Sequence, residues 1–460
     1  MKKINFLNWR LILICTCLVF SIIAVSYKVI SVQIEDSLFL KNEGKKRYIK
    51  YRTINPVRGT IYDRNNTPLA VSIINYDLYA LSGLNTDRYL KLKDAISIQD
   101  DILIDGSFSQ KTLLKKGLTL DEQKTINELH FNNIEIEIRH SRHYPLGDQI
   151  APLIGFYGKD RAQEGIEKSY DSVLSGKNGK QKYYTNAKQK IISKPIEVIK
   201  TIQGQDIQLT IDSTIQFYAY KYLVEAITNN KAKAGTVLVF DNKSGEILAI
   251  ASYPSYNPNN PKREIQKNRA LIEAYELGSV LKPIVFSKAI DKKIFSPDKH
   301  IEIPRRLELG NTIITDPKIY EKLTPKEIVA YSSQVGASKI ALKLGYEELK
   351  NNYYSFGFTK PISINFPSAA FGLMNAKETV SDRELASLGY GYGLKVSPFQ
   401  LTAAYSTFAN NGIRKEFKLL MNDEVTSQRV ISESSARHTL EALQKVVKIG
   451  TGKKADIVGF

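Results

Sequence analysis

The longest apolar run of the chain lies close to its N-terminus. Residues 11–27 carry no charge, and the apolar pattern continues beyond Lys28. A helix of about 20 apolar residues spans a bilayer, and a lysine such as Lys28 can extend its ammonium group to the interface. Lys2, Lys3 and Arg10 precede the run, and this positive charge predicts a cytoplasmic N-terminus. The run is long for a signal peptide and no small-residue cleavage site follows it, which favours an uncleaved anchor over a cleaved signal.

After the anchor, the pattern becomes polar and then alternates between short strands and helices. Residues 36–50 are polar and basic and are expected to form a stalk beside the membrane. Within residues 51–203, Thr119 followed by Glu122 has the spacing of a capping box and predicts a helix near residues 119–130. Residues 58–65 followed by 69–72 predict a strand, a turn and another strand, residues 134–138 predict a short strand, and the glycine-rich residues 175–180 predict a loop.

The second half of the chain changes pattern near residue 204. Its predicted elements are a strand over 206–211, a helix over 213–229 with Ser213 near its N-cap, a hairpin of 235–240 and 246–251, and a helix that begins near Ser279. Strands that precede a group of helices indicate an antiparallel sheet packed with helices. The predicted fold class is therefore α+β: an N-terminal transmembrane helix, a mixed α/β domain, and a second domain of sheet and helices.

Composition and charge change this picture little. The chain has 460 residues, of which 43% are hydrophobic and 24% charged, as in an ordinary folded protein. The net charge of +18 would suit a nucleic acid, but the basic residues are spread along the chain and no DNA-binding or RNA-binding pattern accompanies them. We therefore expect no nucleic-acid partner. Cys15 and Cys17 both lie in the apolar run, so no disulfide is expected outside the membrane. His140 and His143 lack a third ligand nearby, so no metal site is expected there.

One segment carries the residues that a serine nucleophile needs. Ser279 and Lys282 lie three residues apart at the start of a predicted helix, so the lysine Nζ can reach the serine Oγ. A serine needs an adjacent base to lose its proton, and a lysine can act as one when burial lowers its pKa. The same spacing arises by chance on protein surfaces. A second copy, Ser296 to Lys299, contains Pro and Asp, which predict a surface turn.

The segments around Ser279 resemble the class B penicillin-binding proteins. Residues 275–283 read Tyr-Glu-Leu-Gly-Ser-Val-Leu-Lys-Pro, which is similar to the first motif of that family. Residues 331–339, with Ser-Ser-Gln-Val-Gly inside them, resemble the second motif of the division-specific (septal) branch. Further similar segments are residues 58–65, 165–167, 244–249, 252–260, 389–393, 396–398 and 403–412. The resemblance covers nearly the whole chain.

The resemblance implies a peptidoglycan D,D-transpeptidase of septal wall synthesis that β-lactams inhibit. Ser279 would attack the penultimate D-alanine of a stem peptide, Lys282 would act as the base, Ser332 would relay the proton, and Gln334 would hold the acyl-donor peptide. The alternative for Ser332 and Gln334 is that they are only polar residues at a helix N-terminus. A β-lactamase or carboxypeptidase would share the serine and lysine, but not the anchor and the domain that precedes them. No metal or organic cofactor is implied.

The resemblance also implies a location and partners. The domains would be residues 1–35 as cytoplasmic tail and anchor, 36–50 as stalk, 51–203 as the pedestal or dimerisation-type domain, and 204–460 as the transpeptidase domain. The chain would be a single-pass protein of the bacterial inner membrane with its main body outside the cytoplasm. Its partners would be peptidoglycan stem peptides, lipid-linked precursor strands, β-lactams, and division-complex membrane proteins that include a glycosyltransferase.

Two departures from the family pattern are visible. Gln334 takes the place of the family's Asn, keeping the amide but adding a methylene. Residues 446–455 resemble the approach to the third motif, Lys-Thr-Gly, but the chain ends at Phe460 before that motif. Residues 243–245 have similar letters, but lie in a predicted turn upstream of Ser279. We therefore expect a C-terminally incomplete transpeptidase domain of poor activity, and the alternative function is a non-catalytic scaffold of the division complex.

Overall fold

The structure is a computed structural model that describes residues 6–34, 36–98, 106–158, 161–186, 191–261, 267–374, 379–457 and 459. The α-helices are α1 (Phe6–Ile34), α2 (Ser37–Tyr48), α3 (Thr86–Ile96), α4 (Leu120–Glu128), α5 (Ala151–Ile154), α6 (Gly165–Ser169), α7 (Asp171–Leu174), α8 (Ser213–Asn230), α9 (Arg269–Ile272), α10 (Lys282–Asp291), α11 (Pro325–Ala330), α12 (Gln334–Leu344), α13 (Tyr346–Ser355), α14 (Asp382–Gly389), α15 (Pro398–Ala409) and α16 (Glu433–Lys448). The strands are β1 (Ile49–Ile54), β2 (Ile61–Tyr62), β3 (Pro68–Ala80), β4 (Thr112–Lys115), β5 (Ile134–His143), β6 (Gly179–Tyr184), β7 (Ile196–Ile199), β8 (Ile207–Gln208), β9 (Gly235–Asp241), β10 (Glu246–Tyr253), β11 (Tyr275–Glu276), β12 (Ile301–Glu302), β13 (Leu307–Leu309), β14 (Thr312–Ile314), β15 (Lys322–Leu323), β16 (Leu373–Met374), β17 (Leu394–Val396), β18 (Ile413–Lys415) and β19 (Ser427–Arg429).

One compact unit combines Met1–Val57 with Ser175–Gly204. Its helix α1 contains a stretch, Trp9–Ile34, with a mean hydropathy of 2.2, long and apolar enough to cross a membrane. Lys2 and Lys3, on which the predicted orientation partly rests, lie outside the described residues. The predicted stalk contains α2 and the start of β1, and β1, β6 and β7 form an antiparallel sheet in that order. The predicted loop over residues 175–180 is shorter than expected, because β6 already begins at Gly179.

The second compact unit comprises Arg58–Leu174 and Gln205–Phe460. Its first part is a sheet in the order β4-β3-β2-β8, with β5 paired along β3. The predicted helix near residues 119–130 is confirmed as α4, and Thr119 and Glu122 form the reciprocal hydrogen bonds of a capping box. The predicted strand over 206–211 is confirmed only as the short β8, which pairs in parallel with β2.

A buried group of charges holds this part of the second unit together. Glu167 is fully buried, and its two carboxylate oxygens accept from Arg58 Nε and Arg142 Nε, each at 2.6 Å. Tyr144 OH lies 3.3 Å from the same carboxylate. A buried carboxylate requires such partners, because an uncompensated charge in the core is strongly destabilising. The backbone of Tyr144 in turn exchanges two hydrogen bonds with the side chain of Asn259, at 2.9 and 3.0 Å.

The remainder of the second unit contains the predicted hairpin and a helical core. Strands β9 and β10 confirm the hairpin, and α8 packs on it with Asp212, the residue before Ser213, as its N-cap. Helix α10 lies at the centre of the helical core: apart from Lys288 and Asp291, all of its residues are buried. A helix that is buried on all sides needs neighbours on all sides, and helices α11, α12, α13 and α16 supply them. The predicted α+β fold is confirmed.

Candidate active site

The first predicted pair, Ser279 and Lys282, comes together as expected. Ser279 lies in a 3-10 turn, Gly278–Leu281, which leads directly into α10 at Lys282. Lys282 Nζ lies 3.0 Å from Ser279 Oγ. The serine is exposed, whereas the lysine residue is only 2% exposed. The segment therefore presents a hydroxyl to solvent and holds an amine behind it.

The position of Lys282 changes its acid–base chemistry. It is the first residue of the core helix α10, so its side chain is removed from water, which disfavours the charged form. Burial lowers the pKa of Lys282 to about 8, and the negative charge of Asp316 opposes this shift. With a pKa of about 8, the neutral form of Lys282 is a minority near neutral pH but is readily accessible, and it can accept a proton.

Ser332 reaches Lys282 because of the way α11 ends. Tyr331 is the C-cap of that helix, and the next two N–H groups fold back: Ser332 N donates to Val329 O at 3.2 Å and Ser333 N donates to Ile328 O at 3.0 Å. This pair of hydrogen bonds is the Schellman motif, whose first residue after the cap usually adopts a left-handed conformation. Ser332 does so with a φ of 59°. A non-glycine residue there carries strain, and this geometry directs both of its oxygens to Lys282.

Lys282 Nζ has three oxygen neighbours with different hydrogen-bonding abilities. Besides Ser279 Oγ, it lies 2.7 Å from Ser332 O and 2.9 Å from Ser332 Oγ. A neutral amine has two N–H groups and one lone pair. The carbonyl oxygen of Ser332 can only accept, so it takes one N–H, and a hydroxyl of one serine can donate to the lone pair. The arrangement thus allows Ser279 to donate to Lys282 while Lys282 donates to both oxygens of Ser332.

A carboxylate that the sequence did not single out fixes the second motif. Asp316 Oδ2 accepts from Ser333 Oγ at 2.5 Å, and Asp316 Oδ1 accepts from the N–H groups of Gln334 and Val335 at 2.5 and 3.2 Å. Ser333 also serves as the N-cap of α12 by accepting from Gly336 N. The start of α12 is therefore held by two acceptors, and its position relative to Lys282 is set by them.

Gln334 faces a cleft rather than Lys282. The cleft has a volume of about 830 Å³. It is lined by Thr312, Gln334, Ser381, Arg383, Glu384, Ser387, Tyr390 and Tyr392. Because Gln334 follows Ser332 by two residues, and consecutive Cα atoms are about 3.8 Å apart, the cleft opens close to Ser332 and Lys282. Ser333 is the N-cap of α12 and Gln334 is its first residue, as in the helix-terminus alternative for Gln334. Gln334 also lines the cleft, and the two oxygens of Ser332 face the amine.

The turn that carries Ser279 is supported from behind. Strand β11 pairs with β17, and Gly278 N donates to Gly391 O at 3.2 Å. Gly391 has a φ of 99°, and a Cβ atom there would lie 1.9 Å from Gly278 O, so only glycine fits. Tyr405 OH donates to Val280 O at 2.6 Å. These contacts hold the backbone of residues 275–280 in place and thereby help to set the distance between Ser279 Oγ and Lys282 Nζ.

The other sequence candidates lie elsewhere. Ser296 and Lys299 are exposed in a turn, as predicted. His140 and His143 lie on strand β5 three residues apart, so they point to opposite faces of the sheet and cannot share one ion. Residues 243–245 form the β9–β10 turn. In the segment that resembles the approach to the third motif, α16 ends at Lys448 and a 3-10 turn, Lys453–Ala455, follows; Val458 and Phe460 lie outside the described residues.

Three residues of the site have only weak signals in the sequence. Asp316 precedes a proline, which by itself indicates a turn. Tyr405 lies in the apolar pattern of α15 and reads as a core residue. Arg383 lies in the first turn of α14 and reads as an ordinary surface residue. The contacts of Asp316 and Tyr405 join segments 17 and 125 residues apart, and Arg383 lines the cleft together with residues from other segments; no local pattern reveals these arrangements.

Comparison with known proteins identifies related domains and relatives over nearly the whole chain. Residues 235–459 match the family model of the penicillin-binding protein transpeptidase domain, and residues 53–209 match that of the penicillin-binding protein dimerisation domain. The peptidoglycan D,D-transpeptidase FtsI of Escherichia coli strain K12 is 31% identical over 475 residues, which cover 99% of this chain and 80% of the relative. The chain belongs to the penicillin-binding protein family. The probable peptidoglycan D,D-transpeptidase PbpC of Pseudomonas aeruginosa is 32% identical over 98% of this penicillin-binding protein and 83% of the relative.

Solved structures share the fold. A peptidoglycan synthetase from Bifidobacterium adolescentis superposes with a TM-score of 0.68 at 22% identity, over 87% of this chain and 82% of that one. A chain from a structure titled for the coordination of polymerization and crosslinking by a peptidoglycan synthase complex reaches a TM-score of 0.76 at 20% identity, over 97% of this chain and 86% of that one. The family resemblance predicted from the motifs is confirmed.

The pKa of Lys282 predicts the pH dependence of acylation by penicillin. Transfer of a proton from Ser279 needs the neutral amine, so we expect the rate to rise with pH and to level off above about 8. On the acidic side the rate should fall roughly tenfold per pH unit. Asp316→Asn removes the charge that favours the ammonium form but keeps a hydrogen-bonding side chain, so the midpoint should move to lower pH. The measurement is the second-order rate of covalent labelling across a pH series.

Glu308→Gln, an exposed change on the neighbouring strand β13, should leave the midpoint in place, and an unmoved midpoint in Asp316→Asn would contradict the electrostatic argument.

Proposed function

We propose that this penicillin-binding protein is a serine-type D,D-transpeptidase that cross-links peptidoglycan stem peptides during septal wall synthesis and that β-lactams acylate. The observation that carries the proposal is the position of Lys282 Nζ, buried and within 3.0 Å of Ser279 Oγ and 2.9 Å of Ser332 Oγ. The names of the relatives, which are peptidoglycan D,D-transpeptidases, support the choice of substrate.

In the acylation step, Lys282 takes the hydroxyl proton of Ser279 as Oγ attacks the carbonyl carbon of the penultimate D-alanine. Ser332 Oγ then passes its own proton to the nitrogen of the leaving D-alanine and receives one from Lys282, with which it is in contact. The C–N bond breaks, free D-alanine departs, and the peptide remains as an ester on Ser279. Both serine hydroxyls contact Lys282 Nζ. One proton therefore moves from Ser279 to Lys282 and another from Lys282 to Ser332, each over a short distance.

In the second step, an amine of a neighbouring strand attacks the ester carbonyl and the same groups run in reverse. Lys282 and Ser332 take the proton of the attacking amine, and Ser279 regains its hydroxyl proton as the ester breaks. Gln334 holds the acyl-donor peptide with its amide, which can both donate and accept. Every step uses groups of this chain and of the two peptides.

Labelling with a tagged penicillin tests the nucleophile. Ser279→Ala should abolish covalent labelling, because it removes the only atom of the site that forms the ester in this mechanism. Ser296→Ala, in the exposed copy of the same spacing, should label at the parental rate. Labelling that survives Ser279→Ala would refute the assignment, and a parental chain that binds division proteins without any labelling would favour the scaffold function.

We also propose that the chain spans the bacterial inner membrane once, with its N-terminus in the cytoplasm. Helix α1 supports a single span, and Arg10 at its start supports this orientation under the positive-inside rule. An alkaline phosphatase reporter at the C-terminus, which is active only outside the cytoplasm, should be active. Activity of a reporter that works only in the cytoplasm at that position would overturn the orientation and, with it, access to peptidoglycan.

We further propose that the unit containing the anchor docks on division-complex membrane proteins that include a glycosyltransferase. The support is strand β7, an edge strand on which Ile196, Val198 and Ile199 are each more than half exposed. Exposed apolar side chains on an unpaired edge are typical of a protein interface. Val198→Lys should reduce co-purification of the glycosyltransferase with the tagged chain. Ile138→Lys, a matched change on β5, should not, and equal recovery with both variants would exclude β7.

A further inference from the structure

The cleft beside Gln334 contains a cation that the proposed mechanism does not use. Arg383 is exposed and lines the cleft, and among the residues that the structure describes it forms no hydrogen bond or ion pair. It is also the one cationic residue among the described residues that line the cleft. A guanidinium group presents several N–H donors in a fixed plane, which suits a carboxylate.

The position of Arg383 on α14 directs it to the cleft. Arg383, Ser387 and Tyr390 follow one another by four and three residues, so they share one face of the helix and its C-cap, and all three line the cleft. The carboxylate of the next residue in sequence, Glu384, bonds to Ser381 instead of forming an ion pair with Arg383. Its Oε2 accepts from the backbone N–H and the hydroxyl of Ser381, at 3.0 and 2.9 Å, as part of the capping box of α14.

The cleft lies between the two segments that carry the catalytic residues. On one side, Gln334 follows Ser332 by two residues. On the other side, Tyr390 and Tyr392 flank Gly391, whose carbonyl oxygen accepts from Gly278 N beside the nucleophile. A peptide ester on Ser279 would therefore have its preceding residues next to this cleft, which offers an amide, two aromatic rings and a guanidinium, together with the carboxylate of Glu384 that accepts from Ser381.

We infer that Arg383 binds a carboxylate of the acyl-donor stem peptide, and that this chain thereby prefers donors with a free acid over donors in which that acid is amidated. The inference rests on the proposed function and names a specificity residue for it. Arg383 would contact the substrate but take no part in the proton transfers. Tyr390 is an uncharged phenol and Glu384 is an acid, so neither can attract a carboxylate in place of Arg383.

The carboxylate has two possible sources in a stem peptide, and synthetic penicillins can separate them. One pair of probes carries an acyl side chain that copies the residue before D-alanine, with its side-chain carboxylate free or amidated. A second pair is longer by one γ-linked glutamate, whose α-carboxylate is free or amidated. The measured quantity is the second-order rate of labelling of the full membrane-anchored chain at Ser279, given as the ratio of free acid to amide within each pair.

We expect one of the two ratios to be roughly tenfold in the parental chain, as for a hydrogen-bonded ion pair in a partly enclosed site. Arg383→Gln should bring that ratio close to one and leave the rate with the amidated probe within about twofold, since only the charge recognition is lost. Arg383→Lys should retain part of the preference. Arg306→Gln, which removes an exposed cation elsewhere, should retain all of it.

The outcomes distinguish a failure of the role of Arg383 from a failure of the proposed transpeptidase function. Ratios near one for both pairs in the parental chain, or a ratio that Arg383→Gln leaves unchanged, overturn the role of Arg383 while the transpeptidase site stands. Failure of all four probes to acylate Ser279 overturns the proposed function itself. The amidated probe reports on folding of each variant, so a damaged protein shows as a loss of both rates with the ratio still measurable.

Discussion

The amine of Lys282 has to reside in the protein core, and the rest of the site follows from that constraint. It begins the central helix α10, so moving its side chain to water would require moving the helix. A cation with no carboxylate contact in such a place is costly, and proteins commonly respond by neutralising the group. Within the described part of the chain, the groups that touch Nζ are two hydroxyls and one carbonyl oxygen, all uncharged. An ion pair in their place would stabilise the ammonium form of Lys282 and thereby disable the base of the proposed mechanism.

The same constraint explains how the nearby carboxylate is arranged. Asp316 acts on Lys282 through its charge, yet its oxygens are taken up by Ser333 and by the first N–H groups of α12. The N-terminus of a helix is itself favourable for a negative charge. The carboxylate is therefore satisfied without direct contact with the amine. The strained conformation of Ser332 costs about 1–3 kcal/mol, and the closing hydrogen bonds of α11 help to offset it.

The parts of the structure that could be predicted from the sequence are those that local patterns encode. The capping box at Thr119 and the Asn-Lys-Ser-Gly turn of the β9–β10 hairpin are short-range signals, and both elements formed as expected. The contact between Ser279 and Lys282 was predictable because helix geometry fixes neighbours three residues apart. The approach of Ser332 was implied only by family resemblance, because 50 residues separate it from Lys282. Asp316 reaches Ser333 and the start of α12 only through the folded arrangement of the chain, and its immediate neighbours in sequence give no indication of it.

The parallel pairing of β2 with β8 has a consequence for how the protein can be divided. The chain contributes β2, β3, β4 and β5 to this sheet, leaves it, and returns to it at β8, before the hairpin and helices of the second half of the chain. Asn259 adds a second link by bonding to the backbone of Tyr144. A cut near residue 204 would thus separate partners of one hydrogen-bonded sheet and leave each fragment with an open edge. The region before the catalytic half is not a detachable module, and recombination between relatives would preserve the fold only if β2 and β8 were inherited together.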